Sequence, residues 1–176
     1  MAGHNKWVQI KHKKAATDAK KSKVFGKLAR LIVVESKKAN GNVSSPGLRA
    51  LIERAKKENM TVDAIERAIK KGTGADAGTM EPVLFEAYGP GGCAMVIEGL
   101  TDNKNRTVQE IKHIFTKRGF SIAGQGAVTW AFTKTADGWE PQNTTPLSDE
   151  DGQALMDLTD ALEDHDDVQD VYTNAD

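Results

Sequence analysis

The sequence predicts an α+β chain in which a basic helical domain precedes an antiparallel sheet with two helices. Three observations predict it. Apolar residues recur at three- and four-residue spacing through the first part of the chain. The period then changes to runs of strand formers beyond a glycine-rich stretch. The charge divides at the same place: residues 1–73 hold 18 Lys and Arg against 6 Asp and Glu, and residues 74–176 hold 6 against 19. The overall net charge of −1 hides this division.

A basic arm opens the chain. Lys6, Lys11, Lys13, Lys14, Lys20, Lys21 and Lys23 are interleaved with His4, Asn5, Trp7 and His12, and only Trp7, Val8 and Ile10 offer apolar anchors. Ala15, Ala16 and Ala19 suit a short helix, and the rest reads as an arm that orders on its partner. From 23 to 39, Phe25, Leu28, Leu31 and Ile32 form a helical stripe that Asn40-Gly41-Asn42 ends. Ser44-Ser45-Pro46 reads as a cap with proline in the first turn, opening a helix built on Leu48, Leu51, Ile52 and Ala55. Thr61 caps a third helix, with Ile65, Ala68 and Ile69 inside and Gly72 just past its end. Residues 1–73 therefore read as one basic helical domain and 74–78 as a linker.

Residues 79–176 read as an α+β domain of the ferredoxin-like kind. Strand formers fill 83–88 and 93–100, and Gly89-Pro90-Gly91-Gly92 joins them as a hairpin turn. Thr101 or Asp102 caps a helix over 103–118 that buries Val108, Ile111, Ile114 and Phe115 and closes at Gly119. A strand is expected over 127–132, then loop over 134–147 with a short strand near Trp139. Ser148 and Asp151 form a capping box for an acidic helix built on Leu155, Leu158 and Leu162. Residues 168–172 form the last strand, and both helices lie on one face of the sheet.

Several function classes fall away. No apolar run is long enough to span a bilayer. No apolar stretch follows the charged start, as a secretory signal requires. The one cysteine, Cys93, makes no internal disulfide and by itself no zinc site. The cytoplasm is the expected compartment. His4, His12, His113 and His165 have no metal-ligand spacing, and no phosphate or dinucleotide loop is present. No catalysis, cofactor or metal is expected. Gly124-Gln125-Gly126 resembles the Gly-Gly-Gln tripeptide of release factors in the wrong order and reads as a turn before a strand. Cys93 reads as a small buried residue. Glu163-Asp164-His165-Asp166-Asp167 reads as a solvated helix end, with a divalent-cation site as the alternative.

Binding remains. A segment this basic attracts polyanions through counterion release, and pairing between the two halves of the chain is the competing explanation. The candidate contacts are His4, Lys6, Trp7, Lys11, His12, Lys13 and Lys14 on the arm, continued by Lys20, Lys21, Lys23, Lys27 and Arg30. Lysines meet phosphates as flexible point charges. Trp7 and His12 suit stacking on unpaired bases, which favours RNA, and Trp7 serves equally well as a core anchor. A second candidate is the helix start at 102–107, where Asn103, Lys104 and Arg106 accompany unpaired backbone N–H groups; a plain polar cap explains it equally well. The acidic C-terminal region offers a surface to a basic protein partner.

Several stretches, in order along the chain, resemble one family. Met1-Ala2-Gly3-His4-Asn5-Lys6-Trp7, Ile10-Lys11-His12-Lys13-Lys14-Ala15-Ala16 and Asp18-Ala19-Lys20 are similar to the opening of the YebC/PmpR family. Tyr88-Gly89-Pro90-Gly91-Gly92 and Thr101-Asp102-Asn103-Lys104-Asn105-Arg106-Thr107 resemble its middle signatures, and 162–174 resembles its ending. The resemblance implies an N-terminal helical domain followed by α+β domains. It also implies two roles described for the family: transcriptional regulation by binding promoter DNA, and help to the ribosome through stretches such as consecutive prolines. One departure stands out. The family carries a third domain inserted into the second, and here the strand ending near Phe132 runs almost directly into Trp139-Glu140-Pro141-Gln142-Asn143-Thr144, similar to the family's re-entry, so the third domain is expected to be missing near 134–139.

The leading expectation is thus a non-enzymatic regulator of gene expression that binds DNA. The alternatives are a ribosome-associated translation factor that binds rRNA or tRNA, and an acidic protein-interaction module without nucleic-acid binding. No helix-turn-helix signature is clear in 44–71, although the two helices there imitate one.

Overall fold

The computed structural model describes residues 18–75 and 78–176. Two compact units divide them between Met80 and Glu81. In the first, α1 (Asp18–Lys38), α2 (Pro46–Lys57) and α3 (Val62–Thr73) each contribute one apolar stripe. Leu28 and Ile32 of α1 meet Leu48 and Ala55 of α2, Ile65 and Ala68 of α3, and Met60. Helix α1 starts ahead of the stripe that predicts it, because its first turns are helix-favouring Lys and Ala without large apolar residues. It ends where expected: Asn40 and Gly41 take φ of 49° and 74°, and the Gly41 N–H donates to the Ser36 carbonyl at 2.9 Å. Thr61 caps α3, its hydroxyl oxygen accepting from the Ala64 N–H at 3.3 Å.

Gly72 is not the glycine past the end of α3 that the sequence suggests. It is buried inside the helix, and a Cβ there would lie 2.5 Å from the Val33 carbonyl oxygen and 2.6 Å from the Ser36 Cβ. The Ser36 hydroxyl donates to the Ile69 carbonyl at 2.7 Å. The glycine lets the backbones of α1 and α3 approach each other, a packing requirement invisible in local capping rules.

The second unit contains β1 (Glu81–Tyr88), β2 (Ala94–Thr101), α4 (Lys104–Thr116), β3 (Ile122–Ala123), β4 (Phe132–Thr135), β5 (Gly138–Pro141), α5 (Asp149–Glu163) and β6 (Val168–Thr173). The four-stranded sheet has the order β3-β1-β2-β6, with every neighbouring pair antiparallel. The β1–β2 hairpin comes first, and α4 and α5 lead to the two edge strands. This corrects the ferredoxin-like expectation, whose β-α-β-β-α-β order starts with a helical crossover. The tight turn at Pro90–Gly92, with Gly91 and Gly92 at φ of 65° and 76°, makes β1 and β2 direct neighbours, the hairpin expected of Gly89-Pro90-Gly91-Gly92.

Alternation along the strands fills two cores. Val83, Phe85, Ala87, Met95 and Ile97 face Ile111 and Phe115 of α4 and Leu155, Leu158 and Leu162 of α5, so both helices cover one face as expected. The other face, with Ala94, Val96 and Tyr172, is covered by Val128, Ala131 and Phe132, together with Trp139. That cover is the β4–β5 hairpin and the segment leading into it. The strand expected over 127–132 is instead a 3-10 turn at Thr129–Ala131 followed by β4, because the backbone N–H groups of Val128 and Thr129 are drawn to a side chain rather than to a strand partner.

Candidate nucleic-acid interface

The arm residues His4, Lys6, Trp7, Lys11, His12, Lys13 and Lys14 lie outside the described residues. The other basic candidates fall on α1, with Lys20 and Lys21 exposed and Lys23, Lys27 and Arg30 half-buried. The same unit holds a second set that the sequence reading passed over. Arg54, Lys56 and Lys57 on α2 and Arg67, Lys70 and Lys71 on α3 are all exposed. None of the six forms an ion pair with a described residue, whereas Lys38 pairs with Glu35 at 3.3 Å and Arg49 with Glu53 at 3.4 Å. Their signal was present in the charge total of residues 1–73. It was missed because these cations share their helices with the apolar stripes of a core, whereas the lysines of the arm stand in a stretch with few apolar residues.

The helix start at 102–107 is organised differently from either sequence reading. Asn103, not Thr101 or Asp102, is the cap: its side-chain oxygen accepts from the Arg106 N–H at 3.1 Å. The Thr101 hydroxyl oxygen accepts from the Asn103 N–H at 2.9 Å. Arg106 places Nη2 2.8 Å from Asp167 Oδ2 and 3.1 Å from Asp102 Oδ1. Asp167 is buried and also accepts the Thr107 hydroxyl at 2.8 Å. The hydrogen bond and charge of Asp167 raise the Arg106 pKa. The guanidinium thus neutralises a buried acid of its own unit although Arg106 is itself exposed, and Lys104 is a second exposed cation of this stretch.

The acidic run also departs from a plain solvated helix end. Asp164 and Asp166 are exposed, but Asp167 is buried. His165 Nδ1 accepts from the Asp167 N–H at 3.1 Å, which leaves the ring proton on Nε2, 2.6 Å from Glu110 Oε2. Glu110, His165 and Asp167 bring ligand atoms within 4.8 Å of one another, the arrangement a cation would need, and the Arg106 guanidinium already supplies positive charge to it.

A further constellation escaped the sequence reading altogether. Glu86 alternates onto the β1 face opposite the helices and is buried. Its Oε1 accepts from the Gly126 N–H at 2.7 Å, and its Oε2 accepts from the N–H groups of Val128 at 2.8 Å and Thr129 at 3.0 Å. Burial pushes the Glu86 carboxyl up, but these backbone donors outweigh it and hold the group below its ordinary value. The Ala127 carbonyl between them accepts from the Tyr88 hydroxyl at 2.9 Å and from the Trp130 indole N–H at 2.7 Å. Loop 124–130 is therefore fixed from both sides while its rings stay outside: Trp130 is 63% exposed and Tyr88 46%. The Gly-Gln-Gly element is the turn of this loop, with Gly126 at φ 84°.

Cys93 is fully buried, and burial pushes its thiol pKa up. It stands in the core, as expected of a small apolar residue.

Residues 5–75 match the family described as TACO1/YebC protein N-terminal domain. Residues 80–137 and 134–175 match, in two pieces, the family described as TACO1/YebC second and third domain. A probable transcriptional regulatory protein of Fervidobacterium nodosum is 39% identical over 237 aligned residues, covering 100% of this chain and 94% of that protein. One from Thermotoga maritima is 39% identical, covering 99% and 93%. A solved structure, a conserved hypothetical protein from Aquifex aeolicus, is 32% identical with a TM-score of 0.84 and covers 97% of this chain and 96% of that one. The chain belongs to the TACO1/YebC family.

Proposed function

We propose that this protein is a non-enzymatic, cytoplasmic regulator of gene expression that binds nucleic acid through its basic helical unit, with duplex DNA as its target. One observation carries the reading: six exposed cations of α2 and α3 lack ion-pair partners among the described residues. Unpaired surface cations attract a polyanion, and the counterions released on contact drive the binding. The name shared by the relatives, probable transcriptional regulatory protein, supports the same reading. The acidic second unit limits non-specific binding to polyanions.

A second reading, a translation factor on ribosomal RNA, is favoured by the exposed Tyr88 and Trp130, since stacking rings suit unpaired bases rather than duplex DNA. Purified protein offered ribosomes in a sucrose gradient, with excess duplex DNA as competitor, separates the two. Displacement by DNA supports the transcriptional reading. Co-sedimentation that survives DNA supports the ribosomal one, and binding to neither contradicts both.

We further infer that the β4–β5 hairpin stands where relatives carry their third domain. The two matched pieces of the second family meet at 134–137, within this hairpin. The Fervidobacterium alignment spans 237 positions against the 176 residues of this chain. The hairpin is supported as a closed element: Trp139 Nε1 donates to Glu98 at 2.9 Å, and Lys134 pairs with the same carboxylate and lies over the Trp139 ring.

A further inference from the structure

We propose that loop 124–130, with Tyr88 beside it, is a stacking site for unpaired bases of RNA. The proposal rests on the reading of the chain as a nucleic-acid-binding protein and adds a contact in the unit opposite in charge to the basic one.

Four observations lead to it. First, the rings are exposed yet anchored, since the Tyr88 hydroxyl and the Trp130 indole N–H share the Ala127 carbonyl as acceptor. Their polar tips are satisfied inward, and what remains for a partner is ring surface. Second, the loop is preorganised, because three of its N–H groups are held by the Glu86 carboxylate. A rigid platform loses little freedom on binding. Third, residues 119–133 carry no charged side chain, although residues 74–176 hold 19 acids against 6 bases. Glu86, the acid that holds the loop, has its charge taken up by backbone donors. A polyanion excluded elsewhere on this unit meets no fixed negative charge from the loop itself. Fourth, the surroundings are open: a Cβ at Gly124 or Gly126 would meet nothing within 4 Å. Exposed Gln125 between them offers an amide whose donor and acceptor match a base edge. Aromatic faces for stacking, an amide for an edge and a loop without charged side chains of its own suit a splayed-out base.

The test uses the full chain, a fluorescent uridine-rich single-stranded oligoribonucleotide and a duplex DNA probe, over a range of salt. Trp130→Ala weakens RNA binding by about 5- to 100-fold, the worth of one stacked base. It leaves the salt slope and duplex binding unchanged, because the indole touches no phosphate. Trp130→Phe keeps a ring and most of the affinity. Both variants retain the parent's cooperative melting transition, since the ring is exposed. Arg54→Glu with Lys57→Glu instead weakens both probes and flattens the slope. RNA binding by Trp130→Ala within about twofold of the parent overturns the proposal, and the basic-unit reading then stands if the Arg54/Lys57 variant still loses both probes. A concentration-dependent dimer that Trp130→Ala dissolves, with RNA binding unchanged, assigns the rings to a protein contact and also overturns it. If the unaltered chain binds neither probe, both readings fall.

Discussion

The Glu86 carboxylate and the Val128 backbone nitrogen lie 2.8 Å apart across 42 residues of sequence. That bond, with those to Gly126 and Thr129, turns a buried acid into the support of a surface loop. Glu86→Ala removes the acceptor and leaves these donors without a partner inside the unit. The expected cost is about 3 kcal/mol in urea denaturation, with increased hydrogen exchange at 126–129. A loss below about 0.5 kcal/mol would contradict the role assigned to Glu86.

The same group sets an acid dependence. The folded chain holds the Glu86 pKa below its ordinary value, so its contribution is complete above about pH 4.3 and is lost as the pH falls through the folded value. Glu86→Gln cannot titrate. The gap in stability between parent and variant should narrow on acidification below about pH 4.3, and a gap independent of pH would show that the charge plays no part.

Asp167 gathers Arg106, Thr107 and Thr101 in the buried corner between β2 and α4. Asp167→Ala leaves a partly exposed guanidinium and two buried hydroxyls without their common acceptor. Stability should fall by about 2–4 kcal/mol. Affinity for nucleic acid should be unchanged in a variant that still folds. A selective loss of binding would return Arg106 to the role of an anion contact.

Gly72 has the Val33 carbonyl oxygen where a methyl group would go. Gly72→Ala should destabilise the helical unit by about 1–3 kcal/mol through overpacking, even though alanine is the better helix former. Thermal melting decides the sign: a higher melting temperature would mean that helix propensity outweighs the close approach.

Gly138 begins β5 at φ 132°, and a Cβ there would sit 2.6 Å from a ring carbon of Tyr172. Gly138→Ala should cost about 2 kcal/mol or more and release the β4–β5 hairpin. Quenching of Trp139 fluorescence by iodide, measured with Trp7→Phe and Trp130→Phe together as background so that Trp139 is the one remaining tryptophan, should rise. Unchanged quenching would show that the hairpin does not depend on this close approach.

Most of the architecture was legible where local rules decide it. The stripe of Leu28 and Ile32, the Thr61 cap and the Ser148 cap, which accepts from the Asp151 N–H at 3.1 Å, all act within a few residues. The misreadings involve partners distant in sequence. Gly72 is explained by Ser36, the 3-10 turn at Thr129 by Glu86, and Arg106 by Asp167. No periodicity announces such pairs. The β1–β2 hairpin was legible from its Gly-Pro-Gly-Gly turn, whereas the order of the outer strands was not, because strand formers reveal strands but not their neighbours. The basic character of the first unit was legible from charge alone, whereas the Tyr88–Trp130 platform was not, since an exposed ring and a buried ring look identical in a sequence.

The central claim is that the helical unit binds nucleic-acid phosphates, and the salt dependence of duplex DNA binding tests it most directly. The unaltered chain should show log K falling linearly with log salt. Changing Arg54, Lys57, Arg67 and Lys71 together to alanine should reduce the slope by about 0.9 for each phosphate that is no longer neutralised, with the melting transition preserved. A slope and affinity unaffected by these four changes would contradict the account.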